Sequence, residues 1–235
     1  MSVGVSEAAE RLGVSRQRVL QMIADRSLPA ERVGRSWSIN EVDLAHRRVP
    51  LGRPLSPEMA RGFLELAAGS RPSLDARNVS RLRARMVRLV REVSSGGDPA
   101  GLLRSWLPHR ADRLEKSVAA ADLGDAMADH RLAASGVSDP RAGMASPGMG
   151  EGYVDEQLAA PFFAEHFAVD ADSSVPANLI VHVARRVPPI SPVLIAADLA
   201  DYRAGREDGQ AHVVLAEWIE SGDYDEDLVF GRRRP

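Results

Sequence analysis

The 235-residue chain contains no cysteine. That absence removes disulfide frameworks, thiolate metal sites and cysteine nucleophiles together, and it suits a reducing compartment. Aromatic residues make up only 5% of the chain, so a core built mainly from Ala, Leu and Val is expected. Lysine is almost missing: Lys116 is the single lysine among 30 basic residues, and the others are arginine. Long apolar runs are missing as well. The stretches at 193–200 and 213–219 are far too short to span a bilayer. The first ten residues carry no basic stretch leading into an apolar one, so no signal peptide and a cytoplasmic location are expected.

What is present reads as an ordinary globular protein, 44% hydrophobic and 27% charged. The length suits one large domain or two small ones. The net charge of −3 hides an asymmetry. Residues 1–91 carry 17 Lys or Arg against 9 Asp or Glu, and the remainder carries 13 against 24. A basic front favours polyanions through counterion release, whereas an acidic back suits a basic protein partner better than DNA.

Val5, Ala8, Ala9 and Leu12 share one helical face, and Ser6 stands where an N-cap would. Gly13 then supplies a turn, and Ser15 is placed to cap a second helix that runs to about Asp25. In that helix Val19, Leu20 and Ile23 are expected inside, with Arg16, Gln17, Arg18 and Gln21 outside. Two such helices joined by a Gly-Val turn form a helix-turn-helix, whose second helix enters the major groove. There Arg reads guanine and Gln reads adenine through paired hydrogen bonds. Alternation on either side of Gly34-Arg35 predicts a β-hairpin from Leu28 to Ile39. Arg32, Arg35 and Trp37 on it are candidates for the phosphate backbone or the minor groove. Asn40 is expected to cap a closing helix, Glu41–Arg48.

These residues, in this order, resemble the excisionase/MerR-like winged helix-turn-helix family. The resemblance implies binding to double-stranded DNA through the second helix and the hairpin. A module this small offers few base contacts, so specific affinity is expected to need a homodimer or cooperative assembly on DNA.

Pro50 to Pro54 break the chain, and Ser56-Pro57 open a helix to about Ala68. Asp75–Val93 gives the strongest helical signal. Val79, Leu82, Met86, Leu89, Val90 and Val93 form its apolar stripe, and Arg77, Arg81, Arg85 and Arg88 form a second row. A row of one sign repels itself unless something neutralises it. DNA phosphates, an acidic protein surface and plain solvent are the alternatives.

In the acidic half, helices are expected at 98–107 and 122–128, and strands at 114–118 and 178–183. Ala142–Gly152 reads as a long surface loop, and 153–167 as helical or mixed. Val193–Tyr202 and Asp208–Ser221 read as helices, the latter anchored by Val213, Val214, Ala216, Trp218 and Ile219. No nucleophile elbow, P-loop or dinucleotide fingerprint is found, so no enzyme, cofactor or metal is expected. His182 reads as a packed histidine, and Asp198 and Asp201 as surface carboxylates with an outside chance of holding a cation.

Residues 134–141, 176–183, 192–200 and 206–208 resemble the C-terminal region of AbiEi-type antitoxins. Those proteins join an N-terminal winged helix to an α/β domain and are encoded beside a nucleotidyltransferase-like toxin. The resemblance implies an autoregulating repressor with a cognate toxin. An excisionase-like architectural protein and a ligand-responsive regulator stand as alternatives. The expected fold is α+β and mostly helical: a winged helix-turn-helix over 1–48, a helical connector over 54–97, an α/β domain over 98–222 and a flexible tail over 223–235.

Overall fold

A computed structural model describes residues 2–12, 15–24, 28–34, 36–40, 52–144, 146–222 and 224–231. The fold is α+β and mostly helical, and it divides into two compact units, residues 1–51 and 52–235.

The first unit holds α1 (Val5–Leu12), α2 (Arg16–Ala24) and a three-stranded sheet. The Gly4 carbonyl accepts from the Ala8 N–H at 2.9 Å, so α1 starts at Val5. Ser6 therefore lies inside the first turn, exposed, and is not the cap. Ala8, Ala9 and Leu12 pack against Val19 and Met22 of α2. The inner face of α2 differs from the expectation at one place: Met22 is buried and Leu20 is 45% exposed. β2 (Glu31–Val33) and β3 (Ser36–Asn40) form the hairpin, with Val33 opposite Ser36 across the turn. Gly34 has φ +62°, a left-handed conformation that a side chain would strain. An additional strand, β1 (Ser2–Val3), pairs antiparallel with β3 and was not expected. It adds Val3 to the core beside Leu28 and Ile39. The Gly13-Val14 turn, Arg35 and the closing helix 41–48 lie outside the described residues.

The second unit is a mixed sheet between helical layers. The strands are β4 (Asp112–Ser117), β5 (Ala133–Ala134), β6 (Gly150–Asp155), β7 (Val169–Asp170) and β8 (Leu179–Ala184). Their order is β5-β6-β8-β4-β7, with β6 parallel to β8 and every other pair antiparallel. The helices are α3 (Pro57–Ala67), α4 (Ala76–Ser94), α5 (Pro99–Trp106), α6 (Leu123–Ala128), α7 (Glu156–Glu165), α8 (Pro192–Asp201), α9 (Gly205–Ser221) and α10 (Glu226–Phe230). Strand alternation divides the sheet into two unlike faces. Val154, Leu179 and Val181 face an apolar layer that includes Ala126 of α6 and Phe162 of α7. Glu151, Tyr153 and His182 belong to the other face, where they reach α8. From Val193 to Ala200 every residue of α8 is buried, because α5 and α9 pack on it as well.

Ser56 caps α3 and Asp75 caps α4, accepting from Met59 N at 3.3 Å and Asn78 N at 2.7 Å. The helices of 54–97 belong to the second unit rather than standing apart as a connector, because Phe63, Leu82, Met86 and Leu89 are fully buried in it. Several expectations fail in the acidic half. The loop assigned to 142–152 ends early: Gly150, Glu151 and Gly152 lie in β6, the strand paired on both sides by β5 and β8. A Cβ at Gly152 would stand 2.7 Å from the Ala133 carbonyl and 2.6 Å from Leu132 Cδ2, so the glycine permits this close approach. The tail expected over 223–235 is helical in part, and residues 223 and 232–235 lie outside the described residues. Residues 226–230 form α10, Val229 is buried, and Arg83 Nε donates to the Leu228 carbonyl at 2.9 Å. On α9, Leu215 is buried where Val213 was expected, and Val213 is 43% exposed. Among the described residues no helix is long and apolar enough to cross a membrane.

Candidate nucleic-acid interface

The outer face of α2 is built by exclusion. Val19 and Met22 turn inward onto α1, and this leaves Ser15, Arg16, Gln17, Leu20 and Gln21 exposed. Arg16 and Gln17 stand in the first turn of α2, the part of such a helix that meets base edges. Leu20 is the residue that sequence reading missed. Its spacing of three and four from Gln17 and Arg16 places it on the same face, and an exposed leucine there can meet a thymine methyl. The Arg18 side chain lies outside the described residues.

The hairpin presents a second group. Register places Arg32 directly opposite Trp37, and the guanidinium lies 5.8 Å from the ring centroid. Stacking holds the long side chain in place while the charge stays exposed. The exposed tip continues through Val33 and Gly34.

In the second unit, the arginine row of α4 divides. Arg77 and Arg81 are exposed, as Arg91 is one turn beyond Arg88. Arg88 is exposed too, yet its guanidinium and that of the half-buried Arg85 lie over one buried ring, Trp106 of α5, at 5.8 and 5.0 Å. Phe63 meets that ring edge-on at 6.0 Å. Burial lowers the Arg85 guanidinium's hold on its proton, and the neighbouring Arg88 charge acts in the same direction.

Asp198 is not a surface carboxylate, and Asp201 is half-buried. Asp198 is fully buried and accepts from Ser135 Oγ at 2.5 Å, Tyr153 Oη at 2.7 Å and Arg110 Nη2 at 2.7 Å. Asp201 takes the same Arg110 nitrogen at 2.5 Å. Burial alone would make Arg110 a weaker base, but Tyr153, Asp198 and Asp201 outweigh it and raise its pKa well above the ordinary value. His182 Nε2 lies 2.8 Å from Glu151 Oε1, and its ring stacks on Tyr153 at 4.6 Å. The other Glu151 oxygen accepts from Tyr202 Oη and the Val137 N–H, each at 3.0 Å. A sealed network in which each group answers another fixes the sheet to α8. Among the described residues no cluster of three or more His, Asp or Glu is arranged to hold a metal ion.

Residues 3–47 match the family described as helix-turn-helix domain. The match covers α1, α2 and the hairpin, and it makes the first unit a DNA-binding helix-turn-helix of a regulator. No curated protein and no solved structure matches the chain. Within the helix-turn-helix, α2 is the second helix.

Proposed function

We propose that the protein is a sequence-specific transcriptional repressor. The observation that carries this reading is the exposed Arg16, Gln17, Leu20 and Gln21 face of α2 within a helix-turn-helix. Arg16, Gln17, Arg18 and Gln21 read base edges, and Ser15 sits at the start of the helix beside a phosphate. Arg32, Arg35 and Trp37 hold the backbone or the minor groove. Arg77, Arg81, Arg85 and Arg88 of α4 supply further positive charge toward the backbone. The protein binds as a homodimer or cooperatively, because one module offers too few base contacts for operator affinity.

We further infer that the repressor is the antitoxin of its own operon and counteracts a nucleotidyltransferase-like toxin. The support is the resemblance to AbiEi-type antitoxins. The segments carrying it contribute Ser135, His182 and Asp198, the residues that knit the second unit together. Catalysis plays no part in this reading, since those groups are buried and mutually bonded. The test has two arms. Operator fragments are selected from genomic DNA with the full chain, and the Arg16→Ala, Arg18→Ala double variant is measured on them. Loss of operator discrimination is expected, and retained preference contradicts the α2 assignment. Co-expression with the neighbouring open reading frame tests the antitoxin role: rescue of growth supports it, and a harmless neighbour opposes it.

A further inference from the structure

We propose that the basic cleft between α3 and α4 is a phosphate-binding site. The cleft has a volume of about 750 Å³, Arg53, Ser56, Met59, Arg81, Arg85 and His109 line it, and no carboxylate is among the described residues of its lining. It lies wholly within the second unit, so it owes nothing to the helix-turn-helix. Among the described residues no carboxylate stands within salt-bridge distance of Arg53, Arg81 or Arg85.

Arg85 is the centre of the argument. Its guanidinium is packed on Trp106, and Nη2 donates to the Arg53 carbonyl at 2.8 Å. Its Nη1 is out of reach of water and, among the described residues, has no hydrogen-bond partner. A buried cationic N–H without an acceptor is costly, and a like charge on the same ring, Arg88, adds to the cost. An oxyanion in the cleft offsets the like charges of Arg85 and Arg88, and a turn of the Arg85 guanidinium toward the cleft gives Nη1 an acceptor. Several arginine forks that converge without acids suit a tetrahedral phosphate, which accepts from several directions at once. The first turn of α3, entered through Ser56, adds partial positive charge on the same wall. The phosphate belongs either to a soluble nucleotide or to the backbone of nucleic acid, and the experiment separates the two.

The full chain is titrated calorimetrically with inorganic pyrophosphate, ATP and a non-operator duplex, with ionic strength held constant by sodium chloride. Arg53→Glu and Arg81→Glu change exposed side chains and should leave the fold intact, which circular dichroism checks. Arg91→Glu, exposed on the same helix but outside the cleft, is the control. The expected result is saturable pyrophosphate binding that weakens tenfold or more in Arg53→Glu and Arg81→Glu and stays unchanged in Arg91→Glu. ATP binding with duplex affinity untouched by Arg81→Glu assigns a soluble nucleotide; displacement of duplex by pyrophosphate assigns the nucleic-acid backbone. Absence of saturable binding, or equal weakening in all three variants, overturns the site. Operator binding by the same preparations separates the readings, since Arg16→Ala should impair it and leave pyrophosphate binding as it was.

Discussion

Asp198 shows what a single buried carboxylate can organise. It receives Ser135, Tyr153 and Arg110, and Arg110 is itself only 4% exposed at its side chain. Removing one partner of a buried ion pair leaves the other charge uncompensated, at about 3–5 kcal/mol. Asp198→Ala should therefore lower unfolding stability by about that much, read from denaturant midpoints; a loss under about 1 kcal/mol would show that Arg110 finds another partner. Asp129 gives a prediction in pH. Its carboxylate takes Arg131 Nη2 at 2.5 Å, and it also accepts from the Arg131 N–H and lies 2.8 Å from His166 Nε2. The Arg131 side-chain bond is the main reason its pKa falls far below the carboxylate range, and burial opposes this without reversing it. A depressed folded pKa contributes stability that is present above the unfolded value, near 4, and is lost as pH falls toward the folded one. Stability of the wild type should thus drop more steeply than that of Asp129→Asn between about pH 5 and about pH 2. Parallel curves would contradict the assignment.

At the scale of elements, β6 is the instructive case. Its opening, Gly-Met-Gly-Glu-Gly, has the composition of a turn, yet Gly150 and Gly152 are strand residues that let neighbours approach. Gly152→Ala should cost about 1–3 kcal/mol, because its Cβ meets the Ala133 carbonyl of the paired strand. A neutral effect on thermal unfolding would mean that β5 can move aside. Elements whose side chains carry their own periodicity were legible in the sequence: α4 by its apolar stripe, β8 by its apolar run, α3 and α8 by Ser-Pro at their starts. β1 was not legible, since two residues hold no period and only pairing with β3 defines them. α10 was hidden by its acids, for one buried residue, Val229, and the Arg83 bond to Leu228 hold it down. The candidate site was partly legible. Arg16, Gln17 and Gln21 follow from helical phase, whereas the exposure of Leu20 depends on Met22 taking the inner position. The fate of Arg85 and Arg88 was illegible, because Trp106 arrives from a different helix.

For the whole molecule, charge is divided unevenly along the chain. The first 48 residues carry 8 basic and 6 acidic residues, so the helix-turn-helix is close to neutral. Most of the basic excess of the first 91 residues lies beyond it, toward α4. Under the proposed function, sequence preference belongs to α2, and non-specific affinity draws on arginines of both units. The salt slope of non-operator binding should fall when Arg77 and Arg81 are changed together to Ala, with operator preference kept; an unchanged slope would remove α4 from the interface. The central claim, that α2 reads bases, is tested most directly by the ratio of operator to scrambled-site affinity at one fixed salt concentration, for wild type and for Arg16→Ala, Gln17→Ala. The account predicts a wild-type ratio on the order of 10³ or more that collapses toward unity in the double variant while scrambled-site binding persists; a ratio that survives the double substitution would contradict it.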